Sequence, residues 1–306
     1  MNPCIPDLFK NAKERGTFLS FSAPMVRYSR LPFRLLTNRL GTSVTYTPMI
    51  LASCFVRSAE ARDAELSLSR EEGPLVVQFG ASNAADFSKA VQMTSPWVQG
   101  IDLNCGCPQS WAIEEGLGAY WMDQTKWKDL EGVLRAGIEC SSTPISVKIR
   151  VMERDEETVE LARRLEAVGV SWITVHGRTK RQRYSDPINQ NAIRLVKQSV
   201  SIPVVYNGDI RSIDDARRAY EETGVDGVMS ARGILSNPAL YSGSPVTWDM
   251  VHQCLRLGIG YGQTTPILHH HLSEMLTHLL SNAKLKHFNS LSSIPALIDF
   301  IREECK

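Results

Sequence analysis

Eight short apolar runs punctuate the chain: FLSFSAP (18–24), SVTYTP (43–48), PLVVQFG (74–80), VQGIDLN (98–104), ISVKIR (145–150), WITVHG (172–177), IPVVYNG (202–208) and DGVMSARG (226–233). They are rich in β-branched or aromatic residues. They are continuously apolar rather than alternating, as strands buried on both faces should be. Helical periodicity fills most of the gaps. DEETVELARRLEAVG (155–169) has an acidic first turn, places Val159, Ala162 and Leu165 at helical spacing and stops at Gly169. SIDDARRAYEETG (212–224) offers Ser212 as N-cap, Asp215 three residues on, and Gly224 as its stop. Eight strands, mostly alternating with helices, predict an α/β fold of the TIM (β/α)8 barrel type. An open doubly wound sheet would need fewer strands, and no GxGxxG follows the first strand.

The alternation ends near residue 243. GSPVTW (243–248) reads as a linker, and segments 248–262, 266–283 and 293–305 carry helical patterns. The predicted organisation is a barrel over residues 1–243 and a small C-terminal helical domain over 244–306. A chain of 306 residues, 43% hydrophobic and 22% charged, can build a sizeable globular core. No apolar run reaches the ~18 residues of a membrane span, so no membrane partner is expected. A net charge of +1 announces no nucleic-acid partner, although a local basic patch would suffice for one. Seven scattered cysteines, no C-x-x-C pair and no leader-like N-terminus suit a reducing intracellular compartment.

Barrel enzymes carry their chemistry at the C-terminal ends of the strands. Seven of the eight ends hold unusual residues: Pro24-Met25-Val26-Arg27, Gln78-Phe79-Gly80, Asn104-Cys105-Gly106-Cys107-Pro108, Lys148-Ile149-Arg150, His176-Gly177-Arg178, Asn207-Gly208-Asp209 and Ala231-Arg232-Gly233. One strand-end Gly-Asp is more often a turn than a site, but seven ends in phase are hard to explain as turns. The last two fall where barrels often bind phosphate. Gly208 and Gly233 would let backbone N–H groups approach an anion, and Arg232 adds charge. Lys148 points into a site expected to be dry, where an unpaired charge is costly. It would pair with an anionic reduced flavin ring or, alternatively, with a neighbouring carboxylate. His176 could hydrogen-bond a ring or substrate, or satisfy a core carbonyl. Gln78 matches the mixed donor and acceptor edge of a flavin pyrimidine.

Other features read more plainly. In GIDLNCGCPQS (100–110) a metal clip lacks further ligands, and a C-x-C disulfide is strained. Cys105 is read as a packing residue at the strand tip, and Cys107 as the thiol that faces the site. GRTKRQR (177–183) has four basic residues and no acid at the barrel mouth. LHHHL (268–272) puts consecutive imidazoles about 100° apart, which suits no single ion. These histidines are taken as surface or RNA-facing residues, and no metal site is expected. Glu114 and Glu115 are adjacent on a helix and do not converge.

The series APMVRYSRLPFR, YTPM, VQFG, GIDLNCGCPQ, VKIR, ITVHGRT, VVYNGDI and DGVMSARG...NP resembles the FMN-dependent tRNA-dihydrouridine synthases. The likeness runs in order through roughly the first 240 residues, and the helical tail also fits. APMVRYSRLPFR and TPM are most similar to the eukaryotic branch that modifies positions 20a and 20b of the tRNA D-loop. The resemblance implies that Pro24, Met25, Val26 and Gln78 line FMN, that Lys148 and His176 contact its isoalloxazine, and that Asn207, Gly208, Asp209, Ala231 and Arg232 hold its ribityl chain and phosphate. Cys107 matches the catalytic cysteine, and Asn104 and Arg178 match positions that touch the target uridine or its strand. NADPH or NADH would reduce the flavin. Hydride would then reach C6 of the uracil, and a thiol of ordinary pKa (~8.5), still protonated at pH 7, would protonate C5. The uridine must leave its stack to arrive there.

The expected partner is tRNA, met by a monomer in an intracellular setting, the cytoplasm and also the nucleus. Two features depart from the family pattern. Tyr120 and Trp121 follow the cysteine loop where smaller residues are usual, and are expected to pack. The tail from 250 to 306 is nearly neutral, with Arg256, Lys284, Lys286, Arg302 and Lys306 against Glu274, Asp299, Glu303 and Glu304. Competing readings are a flavin barrel reductase of a small molecule, of the dihydroorotate-dehydrogenase kind, and a tRNA-binding protein without catalysis.

Overall fold

The computed structural model describes residues 2–305, so Lys306 of the tail lies outside the described residues. Eight parallel strands close into a barrel: β1 (Leu19–Ser22), β2 (Val44–Tyr46), β3 (Leu75–Gly80), β4 (Gly100–Asn104), β5 (Ile145–Arg150), β6 (Trp172–His176), β7 (Val204–Asn207) and β8 (Gly227–Ser230). Each pairs with the next, and β8 returns to β1 with Phe21 opposite Met229. All eight coincide with the apolar runs. A ninth strand, Ile50–Leu51, extends the pairing of β3 at Phe79 and Gly80; two residues are too few to show a period.

Alternation along each strand sends one residue in two into the barrel. The lower interior is an apolar layer of Phe21, Tyr46, Val76, Trp172, Val205 and Met229. The helix Ile5–Glu14 lies against it, with Phe9 ring centroids 5.7 Å from Phe21 and 6.2 Å from Trp172. One step up, the inward positions turn polar: Gln78 on β3, Asp102 on β4, Ser146 and Lys148 on β5, Thr174 on β6. The strands read as apolar because their outward residues are all covered by helices, while the polar residues gather toward the C-terminal mouth.

The helices follow their signals. Asp155–Val168 ends at Gly169 with φ 103°, and Ile213–Thr223 begins in a capping box between Ser212 and Asp215 and ends at Gly224 with φ 69°. The buried stripe of the first is Thr158, Leu161, Ala162 and Leu165, with Val159 at its edge. The tail forms four helices, not three: Trp248–Gly260, Thr265–Leu276, Asn282–Asn289 and Ile294–Glu304. The segment 266–283 breaks because the chain turns after Leu276 and the Ser281 hydroxyl accepts the Lys284 N–H, starting a new helix. The tail shares its core with the barrel helix Leu31–Arg39: Leu31, Leu35 and Leu36 pack with Val251, Leu272, Phe288 and Leu297.

Candidate active site

A cleft of about 260 Å³ opens at the C-terminal mouth. Of the expected residues, Pro24, Lys148, His176, Arg178, Asn207, Gly208, Asp209, Ala231 and Arg232 line it. At its β7–β8 end, Asn207 Nδ2 donates to the Met229 carbonyl at 3.1 Å. Gly208 (φ 142°) and Asp209 (φ 49°) turn the backbone through the left-handed region. A Cβ on Gly233 would lie 2.2 Å from the Ile210 carbonyl oxygen, so only glycine lets these loops approach. Arg232 reaches the Asp209 carboxylate at 3.2 Å and lies 5.0 Å over the Tyr184 ring, yet stays half exposed.

Arg178 is placed otherwise than as a free contact for a nucleic-acid strand. Its side chain is 3% exposed; it pairs with Asp209 and donates Nε to the Asp186 carbonyl. A buried guanidinium needs such a partner, and here it builds the cleft wall.

Lys148 rises from the cleft floor, deep in the barrel but open to the cleft on one side. Among the described residues no carboxylate pairs with its ammonium. Burial and the nearby Arg150 guanidinium push its pKa down to about 8. Burial, with Lys148, Arg150, Arg178 and Arg232 nearby, holds His176 down at about 2, so it is a neutral imidazole at any working pH. The surroundings are strongly positive, relieved mainly by Asp209 and by Asp102 one layer down.

Cys107 sits on a loop fixed from several sides. Asn104 Oδ1 accepts from the N–H groups of Gly106 (3.0 Å) and Cys107 (2.9 Å). Arg150 Nε donates to the Gly106 carbonyl at 2.6 Å, and Ala119 N–H to the Cys107 carbonyl at 2.8 Å. Gly118 (φ 59°) presses so close that a Cβ there would meet Cys107 at 2.7 Å. Cys107 is partly exposed. Cys105 is fully buried, its amide bonded to the Lys148 carbonyl, and burial pushes its thiol far up. Gln78 lies beneath the cleft, 1% exposed, with Oε1 accepting from Asn104 and Nε2 donating to Asp102. The second Nε2 hydrogen has no partner among the described residues. On the β1 loop, Met25 is partly buried and Val26 is 58% exposed at the rim, beside Arg27 at φ 71°.

Trp121 is 2% exposed and donates to the Ala81 carbonyl, so it packs; Tyr120 packs beside it. In the basic loop, Lys180, Arg181 and Arg183 are exposed and Tyr184 is 73% exposed. The reading of the histidine run as surface is corrected for His271, which is 1% exposed and stacked on Phe33 at 4.5 Å. It lies on the same helix face as Leu268, Leu272 and Met275, which buries it against the barrel. Sequence reasoning named Arg150 only within its strand end, without a role, and passed over Tyr184 in the cleft wall and the buried Asp102 beneath it. Asp102 had a signal: a carboxylate inside an apolar run, in phase with Asn104.

A family model for dihydrouridine synthases matches residues 21–293. The chain belongs to the dihydrouridine synthase family. It is 42% identical over 294 residues to the human tRNA-dihydrouridine(20a/20b) synthase [NAD(P)+]-like protein, covering 94% of this chain and 91% of that one. It is 38% identical over 300 residues to the tRNA-dihydrouridine(20a/20b) synthase [NAD(P)+] of Saccharomyces cerevisiae (95% and 81%). The rat tRNA-dihydrouridine(16/17) synthase-like protein is 36% identical over 294 residues (93% and 67%). Among solved structures, an old yellow enzyme homologue from Zymomonas mobilis superposes with a TM-score of 0.55 at 11% identity, over 72% of this chain and 86% of that one. Morphinone reductase gives 0.52 at 11% identity (79% and 86%). These two share the barrel fold with this family member.

Proposed function

We propose that this chain reduces the C5=C6 bond of uridine in the tRNA D-loop, at positions 20a and 20b, to 5,6-dihydrouridine, with FMN in the cleft and NADPH or NADH as reductant. The observation that carries the reading is the unpaired Lys148 ammonium on the floor of a positively lined cleft, beside the fixed loop of Cys107. A cation left without a carboxylate calls for an anionic partner. Membership in the family and the closer likeness to the 20a/20b relatives support the substrate.

FMN, when bound and reduced, would supply the hydride for C6. The chain's residues do the rest. Lys148 and neutral His176 would face its ring, with Pro24, Met25, Val26 and the remaining Gln78 hydrogen at its border. Asn207, Gly208, Asp209, Ala231 and Arg232 would hold the ribityl chain and phosphate, with Arg178 bracing Asp209. Asn104 borders the base. The Cys107 thiol donates a proton to C5, so hydride and proton together saturate the bond, and the thiolate is reprotonated from water. A thiol suits this step because an acid, not a nucleophile, is wanted.

Unmodified tRNA incubated with the purified protein and NADPH or NADH, followed by position-resolved mapping of dihydrouridine, tests the reading. The expected result is gain at 20a and 20b, with FMN released on denaturation. Turnover of free small substrates by the full chain, with none on tRNA, would instead identify a small-molecule reductase. Protein that binds tRNA but holds no flavin would identify a binding protein.

A further inference from the structure

Asp102 is fully buried at the centre of β4 and touches neither the cleft nor Cys107. It does begin a chain of side-chain hydrogen bonds that ends at the cysteine loop. Ser146 Oγ donates to Asp102 Oδ1 at 2.5 Å, and Gln78 Nε2 donates to Oδ2 at 2.8 Å. Gln78 Oε1 accepts from Asn104 Nδ2 at 2.8 Å, and Asn104 Oδ1 accepts from the N–H groups of Gly106 and Cys107.

We propose that Asp102 is a positioning residue for the acid loop, acting through Gln78 and Asn104 to fix which atoms those two amides present. An ionised carboxylate only accepts, so Gln78 must turn its nitrogen down and its oxygen up. Asn104 must then offer its nitrogen to Gln78, which leaves its oxygen for the two loop N–H groups. Reversing Asn104 would set its nitrogen against the two loop N–H groups, and reversing Gln78 would set its oxygen against the Asp102 carboxylate and its nitrogen against that of Asn104; either leaves buried donors unmet. The far end favours the same orientation, because backbone N–H groups cannot accept. Each end disfavours the reversed chain, and the Asp102 carboxylate adds its preference to that of the loop. Burial holds Asp102 up at about 6, which leaves it mainly ionised and accepting at neutral pH. The geometry is independent of the functional reading above; its catalytic consequence rests on that reading.

The test compares Asp102→Asn, Gln78→Glu and the double variant as holoproteins. An amide in place of the Asp102 carboxylate can donate or accept and removes the bias. A carboxylate in place of the Gln78 amide faces Asp102 as a second acid. In the double variant the two groups trade places. The introduced amide on β4 can donate to the introduced carboxylate on β3, which can accept from Asn104, and the polarity of the chain returns. Hydrogen exchange at the amides of Gly106 and Cys107 should rise about tenfold in each single variant and return to within about twofold of wild type in the double. Dihydrouridine formation should lose about tenfold in kcat in Asp102→Asn with KM for tRNA unchanged, and NADPH-driven flavin reduction in that variant should stay within about twofold. A role in packing alone would leave exchange near wild type in all three variants, since each keeps side-chain volume.

Ser146→Ala takes one donor from the buried Asp102, at a cost to folding of about 1–3 kcal/mol, and should raise the same exchange about threefold. Wild-type exchange in Ser146→Ala, or no rescue in a folded double variant, overturns the proposal. Wild-type protein that makes no dihydrouridine would sink the functional reading but leave the exchange test to decide the relay.

Discussion

Two loops at the barrel mouth carry the features that matter, and they are built in opposite ways. The loop after β4, residues 104–108, is bonded along its backbone by Asn104, Arg150 and Ala119 and pressed by Gly118. The loop after β6, residues 177–187, is anchored where Arg178 meets Asp186 and Asp209, then turns outward with Lys180, Arg181, Arg183 and Tyr184 in solvent. Proton delivery requires an atom held in place, because a misplacement of about 1 Å can cost a hundredfold in rate. Attraction of a polyanion requires charges that need not be held at all. The first loop therefore suits chemistry and the second suits substrate capture, and Arg150 ties them by donating to Gly106 O at 2.6 Å and Thr179 O at 3.1 Å.

The comparison breaks most sharply at Cys107. Cys107→Ala should lower dihydrouridine formation by about 100- to 10,000-fold, the usual worth of a positioned acid, with flavin content unchanged. Single-turnover assays on reduced protein would check it, and full activity in the variant would remove Cys107 from the mechanism.

Lys148 comes next. With the pKa down at about 8, the cation is lost as pH rises through that value. Flavin affinity should weaken from pH 7 to pH 9, and Lys148→Met should weaken it at pH 7 and flatten the dependence. The sign for stability is the reverse. Between about 8 and about 10.4 the unfolded chain holds a proton that the folded, flavin-free chain has given up, so this residue's contribution improves with rising pH in that window. Lys148→Met should therefore raise the Tm of flavin-free protein at pH 7, by on the order of 2–4 °C, while lowering activity. Calorimetry beside flavin titration reads both.

The strands were legible because each is covered on its outer face and carries enough apolar residues to mark it. The phase of the strand ends then placed most of the cleft residues without any structure. What was hidden depended on distance or on competing patterns. Arg178 reads as a free cation because its partner, Asp209, is 31 residues away. The turn at 277–280 is masked by leucines that continue the helical period across it. His271 shares the buried stripe of Leu268, Leu272 and Met275, a signal partly hidden by the two histidines that precede it. The sharing of Leu31, Leu35 and Leu36 between barrel and tail lies beyond any periodicity, because a helix buried on two sides shows no polar face.

The outward loop gives a smaller effect of a different kind. Replacing Lys180, Arg181 and Arg183 together by alanine should raise KM for tRNA and leave kcat within about twofold. The slope of log affinity against log salt should fall by about 2 to 3, one counterion for each lost phosphate contact. A fall in kcat with an unchanged salt slope would mean that this loop orders the site rather than attracting the strand.

The smallest effect should come from Cys105, two residues away from the largest. Its side chain is fully buried, and burial holds the thiol far up. It can neither reach a substrate nor ionise in the working range. Its backbone amide holds the loop to the Lys148 carbonyl at 2.8 Å, a bond that alanine keeps. Cys105→Ala should therefore lose about 1 kcal/mol of stability to the vacated sulfur volume and less than about threefold in rate. Equal losses in Cys105→Ala and Cys107→Ala would show that packing at the strand tip, not the position of one thiol, sets the rate, and the contrast between fixed chemistry and exposed capture would fail at its first loop.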